Sequence, residues 1–292
     1  MSRTVTVGLD GSPESLAAVE WAAREARLWP AGLRAVHVGD QQPCAYVPFA
    51  GEAVLSPGED RAERMLGEVR ASLTHRHPGL VVGVERLAGR PAPALLEAAG
   101  EADLLVLGSR GLGRAAGHLL GSVASAVLGR AEGPVVLVRA DDRVSGERRP
   151  EALVAAASSA DVVLGVELHD RTDDAVVEFA FAAASRRSAV LRVVHGRRLP
   201  SHVDVTGAGR DEREALNGLL RPWREKFPAV VVTAEAVVGR AGQHLVDASR
   251  NASLVVVGRR TRRTSTVGSQ PGPVTYEVLR HAAAPVAVVP HG

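Results

Sequence analysis

Five residues recur at one fixed distance along this chain. Glu85, Gly89, Arg90, Leu95 and Gly108 return without a gap as Glu235, Gly239, Arg240, Leu245 and Gly258, each 150 positions later. In a chain of 292 residues, a repeat of that length marks two copies of one domain rather than a solenoid of small units. Shorter echoes agree. Leu33-Arg34-Ala35-Val36-His37 reappears as Leu191-Arg192-Val193-Val194-His195, and Val162 to Val166 repeats the first apolar strand. Ala175 to Ala184 repeats its helix, with Phe179 in the place of Trp21.

Within one copy, strand and helix patterns alternate. Thr4 to Leu9 reads as a strand. Ser12 is a good N-cap, followed by Pro13 at the first helical position and Glu14 against the helix dipole. The helix then runs to about Leu28, with Leu16, Val19, Ala22 and Ala26 at helical spacing. Leu33 to Val38 is a second strand, and the Pro- and Gly-rich stretch from Gly39 to Gly58 is long enough for a mobile loop or a lid. Asp60 to His75 is a helix with Ala62, Leu66, Val69 and Leu73 on its apolar face. Val81 to Leu87 is a third strand, and Pro93 to Ala99 a third helix. This alternation implies an α/β fold with a parallel, doubly wound sheet.

The stretch from Leu104 to Val138 carries the chemistry. Leu104 to Leu107 is an unbroken apolar run, as expected of a strand buried on both faces. Gly108 and Gly111 follow, and Gly121-Ser122 comes after nine intervening residues. A short helix begins there, with Val123, Val127, Leu128 and Ala131 on one face. Gly133-Pro134 stops it, and Val135 to Val138 forms a fifth strand. Glycines let backbone N–H groups approach an anion and take φ > 0 where a loop turns. Ser122 stands where it can cap a helix whose first amides attract phosphate. The same spacing also suits an ordinary glycine-rich loop before a capped helix, and spacing alone does not separate the two. No G-x-x-x-x-G-K-[ST] occurs, and Lys226 is the only lysine. The loop follows a fourth strand, so it is not the dinucleotide fingerprint that follows a first one.

Gly108-x2-Gly111-x9-Gly121-Ser122 resembles the ATP-binding signature of the universal stress protein family, here in tandem form. The resemblance implies two five-stranded parallel sheets of order 3-2-1-4-5 with helices on both faces. It implies ATP, accompanied by Mg2+, in the first copy. Gly8, Asp10 and Val38 would line the ribose and adenine end, and Gly108 and Gly111 would open the phosphate loop. Gly121, Ser122 and Val123 would hold phosphates through backbone amides and the Ser122 hydroxyl. The strand order puts the ends of strands one and four, Asp10 and Gly108, at the switch point where open α/β sheets take ligands. The implied role is a nucleotide-sensing regulator of a stress response, with no catalytic residue and at most weak ATPase activity. The alternatives are a slow ATP hydrolase or nucleotide-dependent enzyme, and an interaction protein that binds no nucleotide. Arg110, Arg114 and His118 lie in the loop, but nothing in the sequence aims them at a γ-phosphate.

The second copy departs from the pattern. Thr261 replaces Gly111, Gly272 corresponds to Gly121 with one residue inserted, and Pro273 replaces Ser122. Proline removes both an N–H and a hydroxyl from the place where phosphate would dock. Glu167 stands where Asp10 does. Arg259, Arg260, Arg262 and Arg263 could bind another anion or simply face solvent. The expected domains are therefore 1–140 with an intact loop, a charged linker at 141–152, and 153–292 with a degenerate one.

Composition narrows the field. A net charge of +2 and 3% aromatic residues argue against a nucleic-acid partner. No apolar stretch approaches a membrane span, and the chain enters a strand at Val5 without signal-peptide features, so a cytoplasmic location is expected. The lone Cys44 fits a reducing compartment. His75-Arg76-His77 suggests a metal pair but lacks a third ligand and reads as a solvated helix end. His37 and His195, at equivalent strand ends, read as structural. The fifth strands, Val135 to Val138 and Val286 to Val289, are apolar edges in need of cover. By resemblance they pair with their equivalents, in a homodimer or within the chain.

Overall fold

The computed structural model describes residues 3–39, 57–109, 120–140, 160–168, 174–197, 205–261 and 269–292, with side chains from residue 60 and residue 211 in two of these segments. Residues 40–56 of the loop expected at Gly39 to Gly58, the linker at 141–152, Gly111, Arg110, Arg114, His118, Cys44, Arg262 and Arg263 lie outside the described residues. Those described fall into two compact units, one up to Ala140 and one from residue 160 onward.

The first unit runs β1 (Thr4–Gly8), α1 (Pro13–Leu28), β2 (Gly32–Gly39), α2 (Pro57–Arg76), β3 (Val82–Ala88), α3 (Pro91–Gly100), β4 (Leu104–Gly108), α4 (Ser122–Leu128) and β5 (Val135–Val138). All its strand pairs are parallel, in the order β3-β2-β1-β4-β5. Helices cover both faces, so β4, inside the sheet, buries both sides: every residue from Leu104 to Leu107 is buried, and so is every residue of the last strand, Val135 to Val138. The outer strand β3 alternates between half-buried and exposed positions.

The second unit repeats this with β6 (Asp161–Val166), α5 (Asp174–Arg187), β7 (Leu191–Arg197), α6 (Val205–Lys226), β8 (Val232–Val238), α7 (Ala241–Ala248), β9 (Ala252–Arg260), α8 (Pro273–His281) and β10 (Val286–His291). Its order is β8-β7-β6-β9-β10, again all parallel.

One helix differs from the sequence expectation in phase. Leu16 does not join the apolar face of α1; it is 46% exposed, and Ser15, Ala18, Val19, Ala22 and Ala26 are buried instead. Residues 15, 18, 19, 22 and 26 form one helical stripe, and Leu16 lies one residue, about 100°, off it. A buried serine fits that stripe because its hydroxyl donates to Ser12 O at 2.9 Å. In α5 the aromatic that fills the core is Phe181, fully buried, while Phe179 is only half-buried. The Phe181 ring stands 5.8 Å from Phe227 and 6.4 Å from Trp223, which ties α5 to the end of α6.

The end of α2 is not solvated as expected. His75 is exposed, but His77 just beyond the helix is buried, and its Nε2 lies 3.1 Å from Glu20 Oε1 on α1. Arg76 pairs with the other oxygen of Glu20. The motif therefore clamps two helices together.

Arg34 on β2 forms a second clamp. It grips Glu85 on β3 and Glu101 just past α3, each at 2.7 Å. Burial, the largest single influence, lowers the Arg34 guanidinium pKa. The hydrogen bonds and charges of Glu101 and Glu85 together outweigh it and hold the group above its ordinary value.

Candidate functional site

The strand order of the first unit places β1 between β2 and β4, so the connections from β1 to β2 and from β3 to β4 run to opposite sides, and the carboxyl ends of β1 and β4 mark the switch point where open α/β sheets take ligands in a crevice. Three segments meet there. The first is the end of β1. Gly8 is buried, and a Cβ on it would lie 2.6 Å from Leu107 Cδ2 and 3.2 Å from Leu95 Cδ2. Its missing side chain lets α3 and β4 close on β1.

Beyond it, Asp10 builds the turn into α1. Its Oδ1 accepts from the Ser12 N–H at 2.9 Å and from the Ser12 hydroxyl at 2.6 Å. Ser12 in turn caps α1 by accepting from the Ser15 N–H at 3.1 Å, as its position before Pro13 predicts. Gly11 takes φ +82°, a conformation glycine adopts without strain.

The second segment is the end of β4. A Cβ on Gly108 would fall 2.8 Å from the Glu14 carbonyl carbon and 2.9 Å from Ser15 N. Gly108 is therefore small because the first turn of α1 rests on it. Ser109, which the sequence reading passed over, pins both ends of the loop that follows. Its N–H donates to Val138 O at 2.7 Å, and its carbonyl accepts from the Gly121 N–H at 2.9 Å. Its hydroxyl is buried without a hydrogen-bond partner among the described residues. Adjacency to Gly108 was the only signal for it in the sequence.

The third segment is the start of α4, where one expectation needs correcting. The N-cap is Gly121, with φ −60° and ψ 147°, and Ser122 is the first residue inside the helix. A side chain already in the helix cannot cap it, so Ser122 instead presents an exposed hydroxyl beside the first free amides. Nor does Gly121 require positive φ, and its own N–H is held by Ser109. The amides left without an intrahelical acceptor belong to Ser122, Val123 and Ala124.

Val38 is half-buried near the end of β2, opposite Leu87, with Gly8 aligned to Val36 on the neighbouring strand. His37 contacts Leu9 O through Nδ1 at 2.7 Å, and His195 repeats the contact with Val166 O at 3.1 Å. Both histidines latch the second strand of a unit to the end of its first, which is the structural role expected of them.

In the second unit the corresponding segments are arranged differently. Gly165 meets Leu245 and Val257 as Gly8 meets Leu95 and Leu107. However, β9 and β10 run past Gly258 to pair Pro290 with Arg259 and His291 with Arg260, whereas β4 stops at Gly108. A Cβ on Gly258 would lie 2.8 Å from His291 Nε2, so the imidazole rests where the equivalent glycine of the first unit receives a helix. Thr261 donates to His291 O through its hydroxyl at 3.0 Å, and Thr275 donates to Gly258 O at 3.0 Å. Arg259, in the place of Ser109, is 3% exposed, and burial pushes its guanidinium pKa down from the ordinary value. Pro273 occupies the first helical turn after Gly272, as the alignment predicts. Glu167 is exposed.

Among the described residues no cluster of three or more His, Cys, Asp or Glu side chains is placed to hold a metal, and no helix is long and apolar enough to cross a membrane.

Comparison with known proteins gives the same answer from both halves. The sequence profile described as the universal stress protein family matches residues 1–139 and again 160–290. A universal stress protein of Mycobacterium tuberculosis strain H37Rv is 32% identical over 293 residues, covering 97% of this chain and 96% of the relative. A universal stress protein of Mycolicibacterium smegmatis is 31% identical over 295 residues, with 98% and 96% covered. Among solved structures, a universal stress protein from Archaeoglobus fulgidus superimposes with a TM-score of 0.72 over 100% of both chains at 18% identity, a likeness of fold alone. The profile match in each half and the full-length relatives lead to one conclusion: this chain belongs to the universal stress protein family.

Proposed function

We propose that the first unit binds ATP, and that the protein acts as a nucleotide-sensing regulator in the cytoplasm rather than as an efficient enzyme. The observation that carries this reading is the convergence of three segments on one crevice: the β1 end with Asp10, the β4 end with Gly108 and Ser109, and the first amides of α4. The donor set suits a polyphosphate. Ser122 and Val123 supply N–H groups, Ser122 adds a hydroxyl, and Gly121 leaves the approach clear. Asp10 and Val38 would take the ribose and adenine, with Gly8 behind them. Gly111 belongs to the same reading. Mg2+ would arrive with the ATP, neutralising phosphate charge.

The second unit is read as a degenerate copy, because Pro273 replaces Ser122, Thr261 replaces Gly111 and the buried Arg259 replaces Ser109. Calorimetric titration with MgATP should therefore saturate near one equivalent per chain. Two equal sites would show that the second unit binds as well. In the same reading, the fifth-strand edges pair with one another, between chains or within one.

The binder is preferred to an enzyme on physical grounds. A cradle of amides and a hydroxyl stabilises phosphate in ground and transition states alike, which improves affinity without lowering the chemical barrier. Phosphate release from carefully purified protein should stay far below typical turnover of about 1–10³ s⁻¹. Turnover above about 1 s⁻¹ that vanishes in Gly121→Val would promote the enzyme reading instead.

A further inference from the structure

The two units carry the same arginine clamp, but only the first completes it. In the first unit, Arg34 Nε and Nη2 hold Glu85 at 2.8 and 2.7 Å, and Nη1 holds Glu101 at 2.7 Å. In the second, Arg192 on β7 and Glu235 on β8 take the places of Arg34 and Glu85. Residue 251, which stands 150 positions after Glu101, is asparagine. Arg192 keeps one ion pair among the described residues, Nη2 to Glu235 Oε2 at 3.0 Å. Among the described residues its Nε is buried without a partner, and the carboxylate that Nη1 holds in the first unit has no counterpart.

Arg192 and Asn251 line a cavity of about 210 Å³. Its apolar lining comes from Val194, Val237 and Ala248, and its polar lining also includes Glu235, His244 and Asp247. The polar groups are largely committed. His244 Nε2 lies 3.1 Å from Val238 O, and Asp247 faces Arg250 at 3.7 Å. For scale, an apolar cavity of about 150 Å³ accepts a benzene.

We infer that this cavity is a binding site for a small monocarboxylate with a short apolar stem. The ligand carboxylate replaces the missing Glu101 equivalent on Arg192, and the Asn251 side-chain N–H serves as a second donor. The stem lies on Val194, Val237 and Ala248. Charge sets the selectivity. Glu235 already takes one edge of the Arg192 guanidinium, which leaves a single cationic edge for one carboxylate and none to balance a second negative charge, and this disfavours dicarboxylates and phosphate. A neutral amide of the same shape loses the charge-assisted bond to the guanidinium. The site is separate from the nucleotide crevice of the first unit and does not depend on it.

The test uses the full chain, isotopically labelled, titrated with butyrate, butyramide and succinate while NMR follows the side-chain signals of Arg192 and Asn251. Butyrate should give saturable shifts at both and bind at least about fivefold more tightly than either control, the size of one exposed charge contact. Asn251→Glu installs the residue the first unit already carries, so the fold should persist while butyrate binding weakens by a similar factor or more. Arg192→Gln should do the same from the other side. MgATP should not compete. Equal response to butyramide, unweakened binding in folded Asn251→Glu or Arg192→Gln, competition by MgATP, or no saturable shift at Arg192 would each overturn the inference.

Discussion

Replacing Gly121 by valine is expected to abolish nucleotide binding while leaving circular dichroism and thermal stability essentially unchanged. The two halves of that expectation have separate causes. Gly121 has φ −60° and ψ 147°, a region open to any residue and well suited to β-branched ones. Its N–H bond to Ser109 O is made by the backbone and survives the change. The backbone torsions and this hydrogen bond therefore both accommodate the change. The new side chain, however, stands at the approach to the Ser122 and Val123 amides, where the proposed phosphates dock. Calorimetry with MgATP checks the loss. Binding at wild-type strength, with an unchanged spectrum, would place the site elsewhere. Ser122→Ala is the milder companion. It should weaken binding by about 0.5–1.5 kcal/mol, the net value of one hydrogen bond. It should leave stability alone, because Ser122 does not cap the helix.

Phe181→Ala should destabilise the second unit by about 3–5 kcal/mol, the usual cost of emptying a fully buried aromatic site. The ring is 0% exposed and packs against Phe227 and Trp223, so its loss removes contacts between α5 and the end of α6 as well as buried area. Denaturant unfolding is the measurement. A chain with two compact units need not unfold in one step, so the transition assigned to the second unit should move while MgATP titration of the first stays intact. Phe179→Ala, at a half-buried position, should cost clearly less. A loss below about 1 kcal/mol at Phe181 would mean that the surrounding helices collapse into the space. Equal losses at 179 and 181 would remove the distinction between the two rings.

Four of the five residues of the long repeat have a physical reason to recur, and the arginine has a fixed place. Gly89 and Gly239 adopt φ +107° and +124°, which few other residues tolerate. Leu95 and Leu245 fill the space beside Gly8 and Gly165. Glu85 and Glu235 answer Arg34 and Arg192 across neighbouring strands. Arg90 and Arg240 stand at the N-caps of α3 and α7. Gly108 and Gly258 leave room for a close neighbour, though the neighbour differs. These positions were legible because each constraint is local or sits at a fixed place in a repeated frame. The candidate site was legible in the same way, as glycines and a serine at set spacing after a buried strand.

What the linear pattern could not convey was which group meets which. Glycine spacing announces a close approach but not its partner, so Gly108 looked like a loop residue and is pressed by the first turn of α1. A serine at a helix start can be the cap or the first helical residue, and one backbone torsion separates the two. Leu16 was an apolar residue in a plausible stripe, yet its neighbour Ser15 faces the core. A helix's rotation about its axis is set by the sheet it packs on, not by its own composition. Thus the amino-acid order by itself determined the duplicated α/β frame, the alternation of its elements and the difference between the two loops, because periodicity and backbone preference are properties of short segments. Only the tertiary structure decided that His291 rests against Gly258, that Ser109 pins the first loop, and that Arg192 holds one carboxylate among the described residues where Arg34 holds two, because each depends on residues far apart in the chain arriving within a few ångströms of one another.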